Sequence, residues 1–324
     1  MAKKRMIQAI NEALDGEMQR DLKLILFGED VEISLFGDTK GLVDKYGTDR
    51  IRNTPISETV MSGMAVGAAA AGFNVICHMM FGNFMYTGFD SIANQASKLR
   101  YMTAGQISLP IVYMSVFGGG RSAAAQHSDA MHPMFMNLGG IKVVTPSSPM
   151  DAAGLLRASI RDPNPVVYLQ AAGRGGELGE VPDEEFVIEL GKAARLRNGE
   201  DLTIVAIGAM VRPALRSVDF HTTKGVSIEL IDPRTLVPLD KEMIFKSVRK
   251  TGRLIIVDEA RDTCSAASHI ASLCAEECFS ALKAPIKRVT VNDIAIPYSP
   301  PLEKNVLPNE ERINNAVSEV LEFV

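Results

Sequence analysis

Apolar runs of strand length recur along the first half of the chain, at residues 22–30 (LKLILFGED), 73–80 (FNVICHMM), 110–116 (PIVYMSV), 141–146 (IKVVTP) and 165–170 (PVVYLQ). Between them lie longer segments of helical length and spacing, at 57–72 (SETVMSGMAVGAAAAG), 89–106 (FDSIANQASKLRYMTAGQ) and 148–162 (SPMDAAGLLRASIRD). Strands that are apolar throughout, rather than alternating, are strands covered on both faces, and their alternation with helices predicts a parallel sheet. A polar, Gly- and Glu-rich stretch at 171–185 (AAGRGGELGEVPDEE) interrupts this rhythm and is the predicted linker.

The alternation resumes after it. Strands are predicted within 201–210, 226–232, 253–260 and 286–291, and helices within 211–225, 239–252 and 265–283, the first two of these closed by Gly225 and Gly252. The expected fold class is therefore α/β, with two parallel-sheet domains, and the Pro-rich end at 297–312 is expected to pack as an extended tail. The start of the chain, MAKKRMIQAINEALDGEMQRD, reads as an amphipathic helix without a secretory apolar core.

From Thr59 to Phe89 there is no Asp, Glu, Lys or Arg. Gly63, Gly67, Gly72, Asn74, His78, Gly82 and Asn83 break this stretch too often for about 20 continuous apolar residues, which excludes a membrane span. A buried helix followed by a buried strand fits instead, its small residues admitting a close neighbour, and such an element needs cover that another subunit could supply. The net charge of −5 is spread without Lys/Arg clusters, so neither nucleic acid nor an anionic membrane is an expected partner. Four cysteines without a C-x-x-C pair point to a reducing, cytoplasmic compartment, with Cys274 and Cys278 as small buried hydrophobes.

Familiar catalytic signatures are missing: the sequence has no P-loop, no G-x-G-x-x-G after the first strand, no G-x-S-x-G and no H-E-x-x-H. Two polar residues in apolar or Gly-rich surroundings remain. Glu58, at the edge of the uncharged stretch, is either a desolvated acid able to share a proton with a ligand or a first-turn acid stabilised by its helix dipole. His127, downstream of Gly118-Gly119-Gly120, is either an active-site base or a loop histidine bonded to a carbonyl.

A series of ordered segments runs nearly end to end: GEDV at 28–31, TPISE at 54–58, 89–106, QHS at 126–128, KVVTPSSPMDAAGLL at 142–156, SIRDPNPV at 159–166, IDPRTLVPLD at 231–240, KTGRLIIVDEA at 250–260 and PYSPPLEK at 297–304. In these the chain resembles the beta subunit of the thiamine-diphosphate-dependent decarboxylating component of 2-oxo acid dehydrogenase complexes, the group that includes pyruvate, branched-chain 2-oxo acid and acetoin dehydrogenases. The resemblance implies a transketolase-like pyrimidine-binding domain over 1–185 and a transketolase C-terminal domain over 195–324. It implies that Glu58 hydrogen-bonds N1′ of the cofactor's aminopyrimidine and promotes its imino tautomer. Phe84 would stack on that ring, the backbone at Ile56 would face it, and His127 would handle protons during acyl transfer to a lipoyl group.

The resemblance further implies an alpha2-beta2 heterotetramer in which the alpha subunit holds the diphosphate and magnesium, since the G-D-G…N-N motif for them does not occur here. A lipoyl acyltransferase is an implied partner, and a 2-oxo acid or acetoin the implied substrate. A potassium site at Leu109, Ile111, Val112, Asp162 and Asn164 is also implied, hard oxygen ligands suiting that cation. Departures from the family pattern at Gly173 and its neighbours, at Asp129 after QHS, and at 261–269 (RDTCSAASH) lie toward the acyl acceptor. They leave open a two-component transferase that passes the activated unit to another acceptor in a biosynthetic pathway.

Overall fold

The computed structural model describes residues 1–323, and these cluster in two compact units. The first comprises residues 1–117 and 134–190, the second residues 118–133 and Gly191 onward. A division at 185/195 assigns 118–133, and with it His127, to the first half; in the structure this segment belongs to the second unit.

In the first unit a parallel sheet runs in the order Lys142–Val144, Val166–Ala171, Ile111–Phe117, Asn74–Phe81, Leu24–Gly28, Ile51–Asn53. The central strands are buried along their length, as their unbroken apolar runs require. Helix Met6–Arg20 buries Met6, Ile10, Leu14 and Met18, which at a spacing of four residues form one stripe, into the same core as Leu155, Leu156 and Ile160 of helix Pro149–Ile160. Ser148 caps the latter helix by accepting from the Asp151 N–H at 3.1 Å, with Pro149 at the first position.

Several expectations are corrected. The chain opens with strand Ala2–Arg5, which pairs antiparallel with Leu178–Val181, so part of the expected linker is ordered sheet. Only a long-range partner makes these short polar strands. Segment 89–106 is an irregular helix with a π-helical stretch at Ser91–Ala96, followed by Leu99–Met102. Helix Glu58–Ala70 buries Met61, Ala65, Val66 and Ala69 but leaves Val60 and Met64 exposed, so within this chain the uncharged helix is covered on one face only.

The second unit holds a five-stranded sheet in the order Lys287–Val291, Leu254–Arg261, Leu202–Ala206, Ile228–Asp232, Ala194–Arg197. All neighbours are parallel except the last pair. Gly252, in the left-handed conformation (φ 73°), ends helix Lys241–Thr251 as the sequence predicts. The expected extended tail is instead helical, Pro300–Val306 and Glu310–Leu321. Proline is favoured in a first turn, and Asn309 caps the second helix by accepting from Arg312 N–H at 3.0 Å, so the breakers of the tail are helix starts. Among the described residues no helix is long and apolar enough to cross a membrane.

Candidate active-site residues

Glu58 opens helix Glu58–Ala70, directly after the extended residue Ser57 (φ −164°). The carboxyl is half-buried, at the positive end of the helix dipole. Phe84 sits in the 3-10 turn Gly82–Tyr86, and Thr87 ties that turn to the helix. The Thr87 hydroxyl donates to Phe84 O at 2.8 Å and lies 3.4 Å from Glu58 Oε2, while the Thr59 hydroxyl donates to Thr87 O at 2.8 Å. Ile56 is 83% exposed in the loop before the helix, which leaves its backbone approachable. The structure therefore brings Glu58 and Phe84 onto one surface of the first unit, with Ile56 two residues from Glu58.

Gly88 permits this approach. A Cβ there would stand 2.9 Å from Glu58 O and would overlap the Ser62 hydroxyl, so helix and turn meet only over a bare backbone. Gly88→Ala is expected to push the turn off the helix and weaken cofactor binding about tenfold, measured by calorimetric titration of the assembled enzyme; unchanged affinity would show that the turn does not set the site.

A second acid, Glu29, is buried near the start of the Glu58 helix. Glu29 is 7% exposed, its Oε1 has no hydrogen-bond partner, and the Ser57 backbone N–H donates to the carboxyl. Burial, followed by the negative charges of Glu58 and Asp30, raises its pKa above the ordinary carboxylate value, and the Ser57 amide offsets only part of this. Its sequence signal is the acid that ends the first strand run, in GEDV.

A carboxyl that binds its proton more tightly folded than unfolded stabilises the fold below its unfolded pKa, about 4.3, and loses that contribution as pH rises through the folded value. Glu29→Gln is accordingly expected to raise the melting temperature at pH 7 by about 2 °C. The gain should shrink toward pH 4 in a thermal scan series; a gain independent of pH would contradict the assignment.

His127 lies in the second unit, half-buried in the 3-10 turn Ala125–His127, and its backbone N–H donates to Ala124 O at 3.3 Å. The segment before it is held by carboxylates. Glu303 accepts from Gly120 N–H and Ser122 N–H, each at 2.9 Å, and from the Ser122 hydroxyl at 3.2 Å. Glu259 accepts from Gly119 N–H at 3.2 Å, and Gly118 N–H donates to Asp129 O at 3.1 Å. Gly118 has φ +85°, and a Cβ on it would overlap the Glu259 carboxylate, so this glycine is required twice over.

Two of the residues that depart from the family pattern meet here, Arg261 donating to Asp129 Oδ1 at 2.7 Å. His132, which the sequence did not single out, is fully buried against Asp258 at 3.1 Å. Burial pushes the Asp258 carboxyl up, but the charge and hydrogen bond of His132 and the amides of Ala260 and Ala267 outweigh it and hold the group below its usual range.

At the expected potassium site Leu109, Ile111 and Val112 are buried. The Leu109 carbonyl accepts from Ile111 N–H at 2.8 Å. Asp162 is paired with the Lys142 ammonium, and its other oxygen accepts from Asn164 N–H and Nδ2 at 2.9 Å each. The carboxylate charge is thus already matched by an ammonium. Among the described residues no three His, Cys, Asp or Glu side chains group to hold a metal ion.

Two family models match along the chain. Residues 2–170 match the transketolase pyrimidine-binding domain and residues 191–313 the transketolase C-terminal domain. The chain is 41% identical over 330 residues to the acetoin:2,6-dichlorophenolindophenol oxidoreductase subunit beta of Bacillus subtilis, covering 98% of this chain and 96% of that one. It is 39% identical over 326 residues to the pyruvate dehydrogenase E1 component subunit beta of the same organism, covering all of both. A solved split-gene transketolase, an inactive beta4 tetramer, shares the fold, with a TM-score of 0.82 at 23% identity over 98% of each chain. The chain belongs to the transketolase-like family of E1 beta subunits, the family of the pyruvate and acetoin relatives that it matches over its full length.

Proposed function

We propose that this chain is the beta half of a thiamine-diphosphate-dependent oxidoreductase that works with an alpha subunit on a 2-oxo acid or acetoin and delivers the acyl group to a lipoyl carrier. The observation that carries this reading is the Glu58–Phe84 surface, where a carboxyl at a helix start lies near a turn that carries an aromatic ring, Thr87 contacting the carboxyl and the Phe84 main chain. A planar, amphipathic aminopyrimidine fits that combination of aromatic face, carboxyl and approachable backbone at Ile56. The relatives' names agree with it.

When bound, thiamine diphosphate supplies the nucleophilic carbon and the electron sink for the substrate carbonyl. This chain's part is to orient and to move protons. Glu58 holds a proton at N1′ of the ring. Phe84 fixes the ring plane. His127, on a segment fastened by Glu259 and Glu303, handles a proton at the reacting carbonyl or the lipoyl sulfur.

The alpha subunit is assigned the diphosphate and magnesium. The exposed apolar residues beside Glu58, namely Ile56, Val60, Met64 and Tyr86, are the surface that this partner would cover in an alpha2-beta2 assembly. A potassium ion at Leu109, Ile111, Val112, Asp162 and Asn164 would have to rest on main-chain carbonyls, the Asp162 carboxylate being taken by Lys142. Docking to a lipoyl acyltransferase and a cytoplasmic location complete the reading.

Co-expression with the alpha subunit, followed by incubation with a lipoyl domain and pyruvate, branched 2-oxo acids or acetoin, tests it. An acylated lipoyl domain in the mass spectrum is the expected result. Carboligation to an aldehyde with no acyl-lipoyl product would favour the transferase instead.

A further inference from the structure

The strand Asn74–Phe81 does not run smoothly to its end. Its register against Ile111–Phe117 shifts between His78 and Phe81, and within that irregularity Met80 adopts φ +49°, a left-handed conformation that a side chain with a Cβ resists. Such a residue persists only where its surroundings hold it, and bulges beside functional sites serve to re-aim a side chain. Here the holding group is identifiable. Met80 N–H donates to His78 Nδ1 at 3.3 Å. With Nδ1 an acceptor, Nε2 carries the ring proton and donates it to Asp38 Oδ2 at 2.9 Å.

Asp38 is itself fixed from three further directions. Gln170 Nε2 donates to Oδ2 at 3.3 Å, Thr39 N–H donates to Oδ1 at 3.1 Å, and Asn11 Nδ2 donates to the Asp38 carbonyl at 2.8 Å. His78, Asp38 and Gln170 are 2%, 1% and 4% exposed, so solvent substitutes for none of these bonds. Because Gln170 lies on the strand beyond Ile111–Phe117, the cluster ties two strands together across a third at their carboxyl ends.

What the bulge aims is an aromatic series. Phe36 stacks on the His78 ring at 6.1 Å between centroids and meets Phe81 edge-on at 5.4 Å; Phe81 meets Phe84 edge-on at 5.6 Å. We propose that His78, clamped by Asp38 and Gln170, is a positioning residue that holds the Met80 bulge and thereby sets the Phe81–Phe84 aromatic face. This rests on the reading that Phe84 receives the aminopyrimidine ring. Nothing in the mechanism otherwise uses the His78–Asp38 pair, and a buried carboxylate kept at the carboxyl ends of interior strands needs such a reason.

The test uses the assembled enzyme with its alpha subunit and follows thiamine diphosphate affinity by calorimetry, alongside kcat at saturating cofactor. His78→Phe keeps the ring and the stack on Phe36 but loses both hydrogen bonds. It should weaken cofactor affinity about tenfold with kcat at saturation within about twofold. Adding Met80→Gly should restore affinity to within about threefold, because glycine adopts the left-handed conformation without help. Loss from general destabilisation would not be rescued at that one position.

Asp38→Asn, nearly isosteric, puts an amide N–H in reach of His78, favours the other tautomer and sets an Nδ1 proton against Met80 N–H; it should weaken affinity in the same direction and serves if His78→Phe does not assemble. Phe84→Ala is the control. If it weakens binding while His78→Phe and Asp38→Asn do not, or if Met80→Gly fails to rescue, the positioning role is wrong and the ring assignment stands. If Phe84→Ala itself leaves affinity unchanged, the ring assignment is what fails.

Discussion

In the assembled enzyme, Glu58→Gln is expected to lower kcat at least 100-fold while leaving assembly and melting temperature as they are. The two expectations come from different parts of the structure. Glu58 is half-buried and its Oε2 has only a long contact, 3.4 Å, to the Thr87 hydroxyl, so an amide of the same shape disturbs little. Positioned proton transfer contributes on the order of 10² to 10⁴ in rate, and an amide cannot hold and release the proton at N1′. Glu29 sharpens the test, since the charge of Glu58 helps to raise its carboxyl and the two acids are therefore coupled. Residual activity in Glu58→Gln that a second change, Glu29→Gln, removes would assign the relief to Glu29. Full turnover in Glu58→Gln alone, measured by product formation, would remove Glu58 from the mechanism.

Glu303→Ala is the second large effect. It removes one carboxylate and leaves the amides of Gly120 and Ser122 and the Ser122 hydroxyl without their acceptor, each orphaned group costing about 1–3 kcal/mol where water cannot reach it. The penalty falls on the segment that carries His127, which is otherwise held by Glu259 at Gly119 and by the Gly118–Asp129 closure. Loosening of that segment before global unfolding is expected, with kcat/KM falling about 30-fold and proteolysis within 118–129 accelerated. Glu303→Gln retains acceptor oxygen for part of the set and should fall between the two. If kcat/KM is unchanged in Glu303→Ala, the anchored segment does not serve catalysis.

Much of the fold was legible because strand and helix periodicities are local. The apolar runs at 110–116 and 165–170 became the central buried strands, and the glycine after Thr251 became a left-handed cap. The misses involve either long-range pairing or an ambiguous residue type. Ala2–Arg5 is polar and short, and only its pairing with Leu178–Val181 makes it a strand. Prolines at 300 and 301 read as breakers when counted by type, whereas in a first turn the same residues start a helix. His78 passed as an interruption in an apolar run, since nothing near it in sequence announces Asp38 or Gln170.

The sequence by itself determined the two α/β units in outline, the family blocks, and the placing of Glu58 at a helix start before an uncharged face. Tertiary structure alone decided that burial raises the Glu29 carboxyl, that residues 118–133 join the second unit, and that a strained Met80 is held by a buried imidazole. The reason is that solvent exposure and hydrogen-bond partners belong to contacts between distant segments, while periodicity and capping signals record only what a residue's near neighbours require.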